Sequence, residues 1–398
     1  MSANTSLPRT AASEQSNAGR VRAGLTGNRR RRLSHRCRRA RRSATTGLGW
    51  QSTSPPTVIC AQCVATARLW DDARTSGTLN FRRRIMNPSK PLLLVLNPLS
   101  QTHRDAIAAH HEVIYAPDPP QRSAAIAQHA SAIEAVLTIG SIGLTAAEID
   151  AMPRLSLVCA LGAGYENIEV AHAKARGIAV GSGAGTNDEC VADHALALLL
   201  AAVRAVPQFD RACRAGVWRT ALPTRPNVSG KRLGLLGYGA IGRKIARRAA
   251  AFDMPIGYCT RTKRPDVEHP WFDTPVALAA WCDFLVVATP GGVATRHLVN
   301  ADVLSALGPH GYLVNIARGS VVDTAALAKA LREGRVGGAG LDVYESEPQP
   351  PAELFEFGEV VLTPHVAGTS PEAVQATIER FIENSTRHFS GQPVASPI

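Results

Sequence analysis

No apolar stretch in this chain approaches the ~20 residues that a membrane crossing needs; the richest, at 195–203, is far too short, and a soluble protein is expected. Lysine is missing before residue 90, and acids almost so: residues 1–85 hold 17 arginines and 3 acids. The remainder carries 27 basic and 29 acidic side chains, so the formal net charge of +12 belongs to one end of the chain. A near-neutral remainder gives no electrostatic reason to expect a nucleic-acid or membrane partner. Zinc spacing is lacking as well. Cys60 and Cys63 make one CxxC, with no second pair and no His–His spacing to complete a site, so no metal is expected. Cys159, Cys190, Cys213, Cys259 and Cys282 lie scattered in apolar surroundings and read as reduced core thiols of a cytoplasmic protein.

The basic end contains RRRRLSHRCRRARR at 29–42, set among Ser, Thr, Gly and Pro without a hydrophobic period. Such composition predicts disorder. It fits a basic arm for nucleic acid or anionic lipid, or an Arg- and Ser-rich transit peptide. It also fits upstream sequence read from too early a start. The last is favoured, because lysine first appears at Lys90 and MNPSKPLLLVL at Met86 reads as the approach to a first strand.

From residue 91 short apolar strands alternate with helical stretches. Strands are predicted at 92–96, 113–115, 135–138, 155–160 and 178–180, and helices at 102–110, 122–130, 145–151 and 170–176. Strands separated by crossovers imply a small parallel sheet covered on both faces, flavodoxin-like in type. The segment 188–216 reads as one long helical run, largely buried, connecting this unit to a second. Six more strands are predicted at 232–236, 255–259, 284–289, 312–316, 338–343 and 360–363. They make a doubly wound Rossmann unit, so the fold class is α/β with two parallel-sheet domains. Ser370-Pro371-Glu372 then opens a last helix.

The second unit is organised around KRLGLLGYGAIG at 231–242, where a strand runs into Gly237, Gly239 and Gly242 and then into an amphipathic helix. Gly237 permits the turn, Gly239 lets backbone approach a pyrophosphate, and Gly242 lets helix and strand pack. With Tyr238 between the first two, the amides near Ala240 and Ile241 face the phosphates from a helix N-terminus. The second strand ends in Thr260-Arg261-Thr262, with no acid before Asp266. An acid there would hold a ribose hydroxyl; an arginine flanked by hydroxyls fits a 2′-phosphate, so NADP(H) is preferred over NAD(H).

Ligands of such sheets lie beyond the carboxyl ends of strands. Those ends carry Thr289-Pro290, Ile316-Ala317-Arg318, Asp342 through Glu347, and Thr363-Pro364-His365, while the first unit offers Leu161-Gly162-Ala163-Gly164-Tyr165. Taken singly, His365 is a loop residue, Glu347 a turn acid and Arg318 a helix-entry charge. Together at strand ends they put an Arg, a Glu and a His on successive loops on the cofactor side. His365 has the pKa for a proton donor, Glu347 would fix its tautomer, and Arg318 has a planar fork for a carboxylate. The other histidines, among them His110, His111, His194, His297 and His310, are left as surface or helix residues.

Over residues 91–398 the chain resembles the D-isomer-specific 2-hydroxyacid dehydrogenases. The motifs are ALGAGYENIEVAHAKARGI (160–178), VADHALALLL (191–200), GLLGYGAIG (234–242), VNIARGSVVD (314–323), AGLDVYESEP (339–348) and LTPHVAGTS (362–370). The resemblance implies Arg318, Glu347 and His365 as the catalytic set. It also implies that Ala163, Gly164 and Tyr165 hold the substrate carboxylate together with Arg318. The nicotinamide side of the cleft would be lined by Thr289, Pro290, Ile316, Ala317, Arg318, Asp342, His365 and Gly368. It further implies a substrate domain at 86–185 completed by helix 370–398, a cofactor domain at 186–369, and a homodimer. Glyoxylate and hydroxypyruvate lead as substrates, with 2-ketogluconate behind. A phosphoglycerate-type dehydrogenase and a corepressor-like NAD(H) sensor are the rivals; a formate-dehydrogenase-like enzyme is disfavoured, since that group has Gln where Glu347 stands.

Overall fold

A computed structural model of the chain describes residues 90–398. The basic segment, with the readings made of it, lies outside the described residues. Five four-residue strands form the first sheet: β1 (Leu92–Val95), β2 (Glu112–Tyr115), β3 (Ala135–Thr138), β4 (Leu157–Ala160) and β5 (Ala179–Ser182). All pairings are parallel, in the order β2-β1-β3-β4-β5. That is the flavodoxin-like order. Central strands such as AVLT and LVCA are apolar almost throughout because both faces are covered. The crossovers are α1 (Gln101–Ala108), α2 (Pro119–His129), α3 (Ala146–Ala151) and α4 (Val170–Ala175). Local chemistry starts the first three. Ser100 and Asp118 each accept an amide hydrogen bond of the next turn, and Thr145 with Glu148 forms a reciprocal capping box.

Two helices follow, α5 (Asp188–Val203) and α6 (Val206–Arg214), where the sequence pattern predicts a single run. Ala205 adopts φ 52°, and the two axes meet at 58°. The cause is Pro207: it has no amide to donate to the Val203 carbonyl, which takes Arg225 Nε at 3.3 Å instead. Burial also stops at the break. α5 is packed against both its sides, whereas no residue of α6 is buried. No single helix among the described residues is long and apolar enough to cross a membrane.

The second sheet holds β6 (Leu233–Leu236), β7 (Ile256–Cys259), β8 (Trp271–Phe272), β9 (Phe284–Val287), β10 (Tyr312–Asn315), β11 (Gly338–Leu341) and β12 (Val360–Leu362). Its order is β12-β11-β10-β9-β6-β7-β8, again all parallel. This is the Rossmann order with one strand added beyond the sixth position. The edge strand β8 has only two residues, preceded by Pro270, and leaves no periodic trace in the sequence. Helices α7 (Ala240–Ala250), α8 (Pro275–Trp281), α9 (Ala301–Leu307) and α10 (Thr324–Arg332) cover the faces. α5 packs on α7, β10 and β11, filling one core with Leu198, Leu199 and Val203.

The last helix, α11 (Pro371–Phe389), returns to the first sheet, where Ile378 and Phe381 join Leu93, Val95 and Leu157 in one core cluster. Behind it the tail closes on β5: Pro397 bridges Gly181, and buried Asn384 accepts the amides of Ala395 and Ser396. His111 is 3% exposed rather than superficial; its Nε2 meets Ser385 Oγ of α11 at 2.6 Å. Of the five scattered cysteines, all free, Cys159, Cys259 and Cys282 are core thiols; Cys190 is half-buried and Cys213 exposed on α6.

Candidate active site

The carboxyl ends of both sheets face one cleft. From the second sheet, the loop after β10 carries Arg318 and the loop after β12 carries His365. Glu347 follows β11, and its carboxylate takes His365 Nδ1 at 2.8 Å while the Tyr344 amide donates to its other oxygen at 2.9 Å. These contacts set the protonation. The Glu347 hydrogen bond raises the His365 pKa above its ordinary value, overcoming burial. Burial pushes Glu347 up, yet the bonds from His365 and the Tyr344 amide together hold it below the usual carboxylate range. The pair therefore favours imidazolium beside carboxylate, and among the described residues no hydrogen bond reaches His365 Nε2.

His365 itself has φ 54°, a conformation rare for any residue but glycine. Asp342, 1% exposed, holds the loop in it. Its carbonyl accepts the His365 amide at 2.8 Å, and its carboxylate accepts the amides of Val366 and Ala367, each at 2.9 Å, and Thr363 Oγ1 at 2.6 Å. His194 of α5 completes this clamp, its Nε2 2.9 Å from Thr363 Oγ1, so it is no idle helix residue.

A cavity of about 380 Å³ opens onto His365 and Glu347, lined also by Ser141, Tyr344, Pro348, Pro350 and Pro364. A wider groove of about 630 Å³ borders the segment after His365; Glu189, Asp193 and Glu372 line it, Glu189 paired with Lys244, Arg247 and Arg248 and Asp193 with Arg248.

On the cofactor side, Gly237 has φ 100°, and a side chain there would strike the Ala288 carbonyl. A side chain at Gly242 would meet the Gly237 carbonyl, while one at Gly239 would point into open space. No side chain caps α7, so the amides at Ala240 and Ile241 are presented to whatever occupies that space. Tyr238 is 5% exposed and packs against the Tyr258 ring, tilted by 42°, so its backbone alone is available. Thr260 and Arg261 sit at the end of β7, where Thr260 Oγ1 donates to the Thr262 carbonyl and Arg261 is exposed. Asp266, the first acid beyond the strand, is paired with Arg243 at 2.7 Å. Thr289, Pro290, Ile316, Ala317 and Asp342 stand at the adjoining strand ends, and Gly368 lies against Asn187 at the start of α5. These residues fit a dinucleotide: an open glycine cradle and an uncapped helix.

Across the cleft, Ala163, Gly164 and Tyr165 follow β4, and Gly164 lies against the Arg318 guanidinium. Arg318 Nε donates to Glu166 Oε1 at 2.5 Å, and Nη1 to the Ala317 carbonyl. Sequence reasoning missed Glu166, Ser141, Tyr344 and His194. Glu166, His194 and Tyr344 stood inside quoted motifs, but nothing in one sequence told their side chains from ordinary loop and helix groups.

The D-isomer specific 2-hydroxyacid dehydrogenase NAD-binding domain model matches residues 196–367. Over 285 residues the chain is 39% identical to hydroxyphenylpyruvate reductase of Plectranthus scutellarioides, spanning 71% of this chain and 91% of that protein. The chain belongs to the D-isomer-specific 2-hydroxyacid dehydrogenase family. This dehydrogenase is also 38% identical to glyoxylate/hydroxypyruvate reductase A of Arabidopsis thaliana, over 77% of this chain and 98% of that one. Among solved structures, it is similar to an NADPH-dependent glyoxylate/hydroxypyruvate reductase of Sinorhizobium meliloti in complex with NADP and malonate. There the TM-score is 0.73 and the identity 37%, with 78% of this chain and 97% of the other covered. It is thus an NAD(P)-dependent oxidoreductase, a 2-hydroxyacid reductase built on two parallel-sheet α/β domains.

Proposed function

We propose that this dehydrogenase reduces small 2-oxo acids, glyoxylate and hydroxypyruvate foremost, with NADPH as preferred donor. The observation that carries the reading is the His365–Glu347 pair at 2.8 Å, opening onto a cavity of about 380 Å³ whose lining offers no Lys or Arg to a second substrate charge. The reduced nicotinamide supplies the hydride when bound. The protein does the rest. Arg318, with the amides of Ala163, Gly164 and Tyr165, seats the substrate carboxylate and polarises its carbonyl. His365, charged through Glu347, gives its Nε2 proton to the oxygen as the alcohol forms. Asp342 and Thr363 hold the histidine loop still while this happens.

Identity near 38% to a glyoxylate/hydroxypyruvate reductase supports the substrate class, and Arg261 with its flanking hydroxyls supports the phosphorylated cofactor. A homodimer is part of the same reading; the wholly unburied α6 and Trp218, 69% exposed, support it, and sedimentation velocity tests it. Cytoplasmic residence rests on the free thiols and is tested by cell fractionation. The decisive experiment is a kcat/KM panel of 2-oxo acids with each nicotinamide cofactor, run beside His365→Ala. Loss of the proton donor should lower turnover ~10²–10⁴-fold while cofactor affinity holds. Turnover within a few-fold of the wild type would refute the assignment.

A further inference from the structure

The anion seat of this site is already filled by the protein. Glu166 follows Gly164 by two residues, and its side chain curls back so that Oε1 lies 2.5 Å from Arg318 Nε. The other carboxylate oxygen lies over the glycines: a side chain at Gly140 would strike Glu166 Oε2, and one at Gly164 would strike both Glu166 Oε2 and Arg318 Nη2. A side chain at Gly291 would collide with the stem of Arg318. Three glycines thus leave the room in which one carboxylate meets the guanidinium against the Gly164 backbone. That is the arrangement a substrate carboxylate needs.

We infer that Glu166 is an internal competitor for the substrate carboxylate, occupying the Arg318 seat until a 2-oxo acid displaces it. The inference rests on Arg318 being the substrate's anchor. Displacement is easy for two reasons. Both side chains keep about a quarter to a third of their surface in water, so Glu166 can swing out and be solvated. Partly exposed ion pairs are weak, which limits the competition to about two- to fivefold in affinity. A tethered carboxylate is nevertheless always present at its site, whereas substrate must be supplied. Glu166 therefore sets the concentration at which the enzyme begins to fill and keeps stray monoanions off Arg318.

Oxamate, a carboxylate joined to a neutral carbonyl, probes the seat without turnover. Its Kd is measured by calorimetry in the full chain with NADPH bound, alongside KM for glyoxylate. Glu166→Gln is expected to tighten oxamate two- to fivefold and to lower KM by a similar factor. Glu166→Asp, which withdraws the carboxylate by one methylene, should share part of that gain. Arg318→Met should weaken oxamate and abolish the effect of Glu166→Gln in the double variant. Oxamate binding that is unchanged or weaker in Glu166→Gln, while Arg318→Met still weakens it, overturns the inference and leaves the functional reading standing. Full oxamate affinity in Arg318→Met would instead remove Arg318 as anchor, and both would fall.

Discussion

His365 combines two conditions that rarely coincide in one histidine: a left-handed backbone and a carboxylate on Nδ1. The second yields a pH prediction. In the proposed reduction the charged imidazole gives up the proton, so the rate should fall as pH rises through the His365 pKa, which Glu347 holds above the ordinary value. Glu347→Gln removes that support, and the falling limb of kcat against pH should move to lower pH. An unmoved limb would take Glu347 out of the role. Arg261 makes a separate claim on the cofactor. Asp266, the first acid after β7 in the sequence, is engaged by Arg243. Arg261→Asp should therefore lower kcat/KM for NADPH and reverse the preference toward NADH. Equal or better use of NADH by the wild type would show the preference to be misread.

At the scale of elements, α11 is bound to the first unit by packing and by two histidine hydrogen bonds that depend on pH, His111 to Ser385 and His388 to Ser156. Burial, foremost, lowers the pKa of His111 to about 4, against 6.5 when free, with His110 and Lys90 pushing the same way and the Ile107 carbonyl opposing. A base depressed in the folded state stays neutral there while the unfolded chain takes up a proton. The stability it confers is present above pH 6.5 and lost as pH falls toward 4, to a total on the order of 3 kcal/mol. Thermal unfolding across that range should show a shallower acid loss in His111→Gln than in the wild type; parallel curves would exonerate the residue. The strands were legible because parallel interiors are apolar on both faces, and the glycine turn because Gly237 has φ 100° and a side chain at Gly237 or Gly242 would strike backbone. The break at Ala205 was hidden, since apolar helical pattern continues on both sides and only the missing amide of Pro207 marks it. Glu166 and His111 were unreadable for another reason: their partners, Arg318 and Ser385, lie 152 and 274 residues away.

For the molecule as a whole, both sheets and the cleft between them lie within residues 90–398. A chain begun at Met86 should thus unfold at the same temperature as the full chain and match its kcat/KM; an insoluble or inactive product would show that the basic segment does more than precede the enzyme. The return of α11 has a further consequence, for the order of events during synthesis. The seven-stranded sheet is continuous in sequence and can complete itself as soon as β12 leaves the ribosome. The five-stranded sheet is made first but must wait, because Phe381 and the bridge from Pro397 to Gly181 arrive only with the last residues. The half of the enzyme translated earliest is thereby the half that finishes last, and a nascent chain can hold its nucleotide cradle before it has anywhere to put a substrate.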